Sequence, residues 1–269
     1  MTTLTVQGLD IHLGGRSVLH NITTSIREGG LVGLVGRNGA GKSTLVRTLA
    51  RLITPEQGCV LLDEADITHI PRKSLAKQIS YLPQGHTLHW PLEARHVVAL
   101  GRLPHLPRFA RAAGPDETAI HRAMERTDVL ALSDREMTTL SGGERARIML
   151  ARALASETPI LLADEPVTSL DPFHQLLVME LLRDIAREGR LVIAVLHDLP
   201  LAARFCERLI LLEGGQIVAD GEPQIVLSSK NLDHAYSVKG IYGNEDGERF
   251  VLPWRRLNSV KGDVCVDPR

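Results

Sequence analysis

The sequence predicts an α/β fold: a mostly parallel sheet, preceded by antiparallel β segments and interrupted by a helical insertion. Three observations carry this expectation. Aliphatic runs at 31–35, 159–163 and 191–196 are continuous rather than alternating, as strands covered on both faces are. Each run ends on polar or glycine-rich residues: Gly36 onward, Asp164-Glu165, and His197-Asp198. Ligands in open α/β sheets bind outside the strands' carboxyl ends, so these three ends are expected to share one site.

The elements follow in order. Residues 1–30 and 57–70 alternate apolar and polar residues as edge-type antiparallel strands do. Segment 31–56 reads as strand, phosphate loop and helix. Segment 85–154 reads as largely helical, and 155–225 returns to the α/β core with a core-facing helical stripe at Leu177, Val178, Leu181, Leu182 and Ile185. Beyond 226, Val238-Lys239-Gly240-Ile241-Tyr242 and Arg249-Phe250-Val251-Leu252 are expected to form a hairpin around a long turn, 243–248.

Gly36-Arg37-Asn38-Gly39-Ala40-Gly41-Lys42-Ser43 fits G-x-x-x-x-G-K-[ST], whose glycines let backbone N–H groups surround phosphates at the positive end of a helix. Lys42 is expected to reach the terminal phosphates, Ser43 a magnesium ion, and Thr44 a phosphate oxygen. At the next strand end, Asp164 matches the metal-side acid of such loops, held to the ion mostly through water, and Glu165 lies where it can polarise an attacking water. Asp171-Pro172 supplies an N-cap and first-turn proline for the following helix. Ser141-Gly142-Gly143 alone reads as a helix N-cap and turn, and His197 alone reads first as a surface or satisfied core histidine.

The joint order of these motifs resembles the ATP-binding subunits of ABC transporters over about residues 2 to 228. The resemblance rests on the phosphate loop, Tyr81-Leu82-Pro83-Gln84 as glutamine loop, Leu140-Ser141-Gly142-Gly143-Glu144 as signature, Asp164-Glu165 as the acidic pair, Ser169-Leu170-Asp171 as D-loop, and His197 as switch histidine. It implies a P-loop NTPase (RecA-like) core with an antiparallel β subdomain and a signature-bearing helical subdomain at about 85–154, leaving 229–269 as a C-terminal extension. It implies ATP and Mg²⁺ as ligands. Glu165, His197, Gln84 and Lys42 would be catalytic, residues Gly36, Arg37, Asn38, Gly39, Ala40, Gly41, Lys42, Ser43 and Thr44 would bind nucleotide, and Ser43, Gln84 and Asp164 would surround the metal. It also implies a head-to-tail dimer in which Ser141, Gly142, Gly143 and Asp171 act in trans on the other copy's ATP. The chain departs from the family at Leu13, with His12 the nearest ring, where many members stack an aromatic residue on adenine, and at Pro166-Val167, where threonine is common after the proline.

Composition agrees. At 269 residues and 43% hydrophobic content the chain can bury a large core, and a net charge of −1 argues against a polyanion partner, so no nucleic acid is expected. No run approaches the ~20 apolar residues of a membrane span, and the start lacks a basic segment followed by an apolar one, so no signal peptide is expected. Cys59, Cys206 and Cys265 show no metal-binding or disulfide spacing.

The transport class is read from Val97-Val98-Ala99-Leu100-Gly101-Arg102-Leu103-Pro104-His105 and from Val195-Leu196-His197-Asp198-Leu199-Pro200-Leu201-Ala202-Ala203, which resemble segments of importers of ferric siderophores, haem and cobalamin. This implies a polytopic membrane permease, an indirect periplasmic or surface substrate-binding protein, and a place on the cytoplasmic face of the inner or plasma membrane. The permease and binding protein, not this chain, choose the cargo. Histidines 86, 89, 96 and 105 crowd the same stretch, but no carboxylate or cysteine cluster accompanies them, and they are read as ordinary loop histidines. Two alternatives stay open: an importer ATPase for another metal or oxyanion, and a soluble ABC ATPase outside transport. A P-loop switch or kinase would leave the signature and D-loop without meaning.

Overall fold

The computed structural model describes residues 2–85, 91–107 and 112–257; His86, His89 and Cys265 lie outside the described residues. The chain opens with β1 (Thr3–Leu13) and β2 (Arg16–Arg27), followed by β3 (Leu31–Val35), α1 (Lys42–Leu49), β4 (Gln57–Leu62), β5 (Ala65–Asp66), α2 (Arg72–Leu75) and β6 (Ile79–Leu82). The insertion carries α3 (Ala94–Ala99), α4 (Pro115–Arg126) and α5 (Gly142–Ala155). β7 (Ile160–Asp164), α6 (Pro172–Arg187), β8 (Leu191–Val195), α7 (Leu199–Phe205), β9 (Arg208–Glu213) and β10 (Gln216–Gly221) follow. The chain then runs through α8 (Pro223–Val226), α9 (Ser229–Asn231) and a π-helical turn at Leu232–Tyr236 into β11 (Val238–Glu245) and β12 (Glu248–Arg256).

The first strands form an antiparallel sheet ordered β2-β1-β4-β5. β1 buries Leu4, Val6, Leu9 and Ile11. Its alternation slips after Val6, where Gly8 takes a positive φ of 54° and the pairing with β2 shifts register, so the same face stays buried across a three-residue step.

The main sheet is ordered β10-β9-β3-β8-β7-β6, and only the β10–β9 pair is antiparallel. Every residue of β3, β7 and β8 is buried, as their continuous aliphatic runs require. Period-two alternation divides them between two cores. Leu31, Val35, Leu161, Ala163, Val192 and Ala194 face α5, α6 and α7. Val32, Leu34, Ile160, Leu162, Ile193 and Val195 face α1 and the antiparallel sheet. The sheet is thereby covered on both sides, and the carboxyl ends of β3, β6, β7 and β8 are held side by side.

Two expectations, the α6 stripe and the hairpin turn, need correction, and the segment 97–105 finds its place. On α6, Val178, Leu181, Leu182 and Ile185 are buried, but Leu177 is only half-buried and Met179 takes its place, because the face centres on Leu182 rather than one residue earlier. Val97 and Val98 are fully buried core residues of α3, so only Leu100 and Leu103 of that segment present large apolar side chains outward. The hairpin has no long turn: pairing runs to Glu245 and Glu248, leaving Asp246 (φ 51°) and Gly247 (φ 81°) as a two-residue connection. Two successive positive-φ residues match the right-handed twist of a hairpin, which an Asp-Gly pair permits.

The remaining histidines of the crowded stretch are tied locally. His105 Nε2 lies 2.9 Å from the Ser156 carbonyl, so it is a partly buried clamp and not an exposed loop residue, and His96 sits 3.4 Å from Glu93. Beside His105, the buried Arg102 joins Asp116 at 2.8 Å and donates to the Ala155 carbonyl at 2.8 Å, fastening the insertion to the end of α5.

Candidate functional site

The loop between β3 and α1 has the shape its glycines allow. Gly36 adopts φ 145°, and a Cβ there would meet the Leu212 carbonyl oxygen at 2.2 Å. Gly41 adopts φ 97°, and a Cβ there would meet Leu19 Cδ2 at 2.5 Å. Any larger residue would push the loop off its neighbours. Gly41 is also the N-cap of α1 and offers no side-chain cap, leaving the helix's first N–H groups for an anion. Lys42 curls over the loop, its Nζ donating to the carbonyls of Gly36 (2.8 Å) and Arg37 (3.0 Å). Burial lowers its pKa, and the Glu165 and Asp164 charges oppose that shift.

Asp164, at the end of β7, is wholly buried. A buried carboxylate is costly unless hydrogen-bonded. Here Ser43 Oγ donates to Oδ1 at 2.8 Å, Tyr81 Oη donates to Oδ2 at 3.2 Å, and Arg47 Nη2 lies 3.8 Å away. The sequence marks Tyr81 only as the start of the glutamine loop, not as a partner of Asp164, and does not single out Arg47; the one signal for Arg47 is that it lies one turn beyond Ser43.

Glu165 occupies a left-handed turn (φ 55°) directly after that strand. Its Oε1 accepts from His197 Nε2 at 2.8 Å and its Oε2 accepts from Thr168 Oγ1 at 3.0 Å. Burial alone would raise its pKa, but hydrogen bonds from His197, Thr168 and Gln84 outweigh that and hold it below the usual carboxylate range. Glu165 is therefore ionised at neutral pH and able to accept a proton.

These groups meet in one cleft of about 620 Å³, lined by Asn38, Gly39, Gly41, Lys42, Ser43 and Thr44 on one wall and by Gln84, Glu165, Thr168 and His197 on the other. Gly36 and Ala40 lie buried beneath the loop, and Arg37 points to solvent. The structure brings the ends of β3, β7 and β8 together as the strand runs predicted, and adds the end of β6 beside them. Val18 also lines the cleft, whereas the expected adenine neighbours do not: His12 pairs with Glu56 at 3.0 Å and Leu13 is exposed.

Four expected residues stay away from this cleft. Ser141, Gly142, Gly143 and Asp171 are absent from its walls. Ser141 caps α5 through a reciprocal capping box, accepting from Glu144 N at 3.2 Å while its own N–H donates to Glu144 Oε2 at 2.7 Å. Asp171 caps α6 by accepting from His174 N at 3.0 Å.

A cleft with a glycine cradle, a buried lysine, and a carboxylate paired with a histidine suits a nucleotide triphosphatase, and comparison with known proteins decides which. A family model described as ABC transporter matches residues 19–168. The chain belongs to the ABC transporter family. It is the ATP-hydrolysing cassette of that family, with the fold of a P-loop NTPase.

This ABC cassette is 43% identical over 267 residues to the cobalamin import ATP-binding protein BtuD of Halobacterium salinarum, covering 98% of the chain and 67% of the relative. It is 43% identical over 260 residues to the hemin import ATP-binding protein HmuV of Nocardia farcinica, covering 94% and 90%. It is 42% identical over 251 residues to the ferric enterobactin transport ATP-binding protein FepC of Escherichia coli, covering 92% and 93%. Among solved structures, a transporter described as of metal-chelate type, in an inward-facing conformation, superposes with TM-score 0.82 at 25% identity, covering 95% of the chain and 98% of that one. The ATP-binding cassette MJ0796, solved as a dimer bound to ADP and Pi, superposes with TM-score 0.72 at 28% identity, covering 82% and 98%. Among the described residues, no helix of the ABC cassette is long and apolar enough to cross a membrane.

Proposed function

We propose that this cassette hydrolyses ATP to drive import of an iron chelate (ferric siderophore or haem) or cobalamin, seated on the cytoplasmic face of the inner or plasma membrane through a permease. The observation that carries the catalytic part is the Glu165–His197 hydrogen bond in the cleft that also holds Lys42 and the Ser43–Asp164 pair. The cargo class is supported by relatives named for cobalamin, hemin and ferric enterobactin.

In this reading Lys42 leaves the Gly36 and Arg37 carbonyls for the β- and γ-phosphates, while the N–H groups of the loop and of α1 hold the same oxygens. Glu165 takes the proton of the attacking water, and His197 keeps the carboxylate aimed and steadies charge on the γ-phosphate. Ser43, Asp164 and Gln84 offer oxygen ligands, the chemistry a magnesium ion accepts. Bound there, Mg²⁺ would neutralise charge shared between the β- and γ-phosphates.

Ser141, Gly142, Gly143 and Asp171 complete the site of a second copy placed head to tail, which accounts for their distance from the cleft of their own chain. A cassette, its permease and the substrate-binding protein reconstituted in proteoliposomes, and offered haem, a ferric siderophore and cobalamin in parallel, test the proposal. ATP-dependent uptake of one of the three is expected. Intact ATP hydrolysis without uptake of any of them overturns the cargo class, and loss of neither activity on replacing Glu165 overturns the site.

A further inference from the structure

The C-terminal extension is not an appendage. Leu232, Ala235 and Val251 join the core that covers α5, α6 and α7, and Tyr242 donates to the Leu227 carbonyl at 2.9 Å. Between the hairpin and α6–α7 it leaves a recess of about 540 Å³, within the size range of small-molecule sites. Four arginines line it, Arg183, Arg187, Arg204 and Arg249, against three glutamates.

These cations are unevenly satisfied. Arg183 and Arg204 stack on the Phe205 ring at 4.8 and 4.9 Å, and both bind the Glu248 carboxylate, Arg183 through Nη1 at 3.2 Å. Arg183 Nε remains buried without a hydrogen-bond partner. Among the described residues Arg187 is held only by Glu207, at 3.9 Å, while the other oxygen of Glu207 accepts the Leu31 N–H at 2.6 Å. Arg249 has no ion pair among the described residues. One wall of the recess thus already grips a carboxylate with two guanidinium groups, while Arg187, loosely paired, and Arg249, without an ion pair among the described residues, line the same recess and can grip another. Planar forked donors of this kind match carboxylate and phosphate oxygens in pairs.

The recess also touches the switch. Arg204 and Cys206 at the far end of α7 line it, and α7 begins immediately after His197, with Asp198 as its N-cap accepting from Leu201 N at 2.8 Å. We propose that this recess is a regulatory site for a small oxyanion-bearing metabolite, a carboxylate or phosphate compound held by Arg187 and Arg249, whose binding braces the hairpin on α7 and alters ATP turnover through His197. The effect on turnover rests on the role assigned to His197 above; the binding does not.

Citrate and glycerol phosphate, with sodium chloride at matched ionic strength as control, are the probes. Calorimetry on the full chain should show one of them binding, and a tenfold excess over its Kd should raise Tm by about 3 °C. Arg187→Ala/Arg249→Ala should weaken that binding about tenfold or more while leaving ATP affinity unchanged, since neither residue is near the phosphate loop. Arg187→Lys/Arg249→Lys retains the charge without the fork and should recover less than half of the loss in binding free energy. If neither probe binds, or if the double variant binds equally well, the site is not there. If the probe binds but the ATPase rate of the wild type is unmoved, the regulatory role is overturned, whatever the fate of the Glu165 assignment.

Discussion

Glu165 and His197, which stand at the ends of adjacent parallel strands and 32 residues apart in sequence, are joined by a 2.8 Å hydrogen bond at the mouth of the phosphate cleft. The contact keeps the carboxylate ionised and fixes its direction, so that substitutions on either side should separate binding from turnover.

Glu165→Gln preserves shape and a hydrogen-bond acceptor for His197 but removes the base. ATP binding should persist while turnover falls ~10²- to 10⁴-fold. Near-normal hydrolysis by the purified variant would exclude Glu165 as the base.

Lys42→Ala removes the ammonium that now rests on the Gly36 and Arg37 carbonyls. ATP binding should weaken roughly ten- to a hundredfold with hydrolysis lost in parallel, the scale of a charge-assisted contact. The ammonium bonds carbonyls of its own loop, so the far-ultraviolet spectrum should be unchanged. Unaltered affinity for labelled ATP would displace the phosphates from this loop.

Tyr81→Phe deletes one donor to the buried Asp164 and leaves Ser43 in place. Denaturant unfolding should show a loss of about 1 kcal/mol. Saturated turnover should largely survive, because Ser43 still orients the carboxylate. A fall in kcat as deep as that of Glu165→Gln would instead give Tyr81 a part in the reaction.

The composite site can be tested by mixing Ser141→Arg with Lys42→Ala chains, each also carrying Glu165→Gln. One ATP should be trapped per mixed dimer and none in either parent. Ser141→Arg also breaks the capping box of α5, which costs about 1 kcal/mol, so a damaged helix alone would leave the mixture as inactive as the parents. Failure to trap ATP in demonstrated mixed dimers, with Ser141→Arg chains that retain wild-type helicity and still bind ATP, counts against a signature acting across the interface.

Hydrogen bonding to Arg204, ahead of an opposing burial effect and the contact with Arg183, lowers the pKa of Glu248. Because its folded pKa lies below its unfolded one, the stability it contributes is present above the ordinary glutamate value and is lost as pH falls through the folded value. Glu248→Gln should therefore loosen the hairpin at pH 7, seen as faster proteolysis between α7 and the C-terminal strands. The difference from wild type should shrink as pH falls below the ordinary glutamate range and vanish once the pH lies below the lowered folded value. A difference that persists there would mean that Glu248 acts through packing and not through charge.

Local pattern by itself determined the sheet, the loop and the strand-end residues. Continuous aliphatic runs need two covered faces, and a parallel sheet sends its carboxyl ends to one edge, so Lys42, Asp164 and His197 were expected as neighbours. What only the tertiary structure decided is which side chains touch there. Tyr81 and Arg47 reach Asp164 because β6 packs beside β7 and α1 turns over them, and Thr168 reaches Glu165 because the turn after β7 is left-handed. The same holds for the hairpin, whose strands were legible but whose turn and docking were not: the two-residue connection depends on both strands staying in register, and the grip of Arg183 and Arg204 on Glu248 depends on α6 and α7 stacking around Phe205. Periodicity records which face of an element is buried; it does not record which neighbour buries it, because that is settled by how whole elements pack.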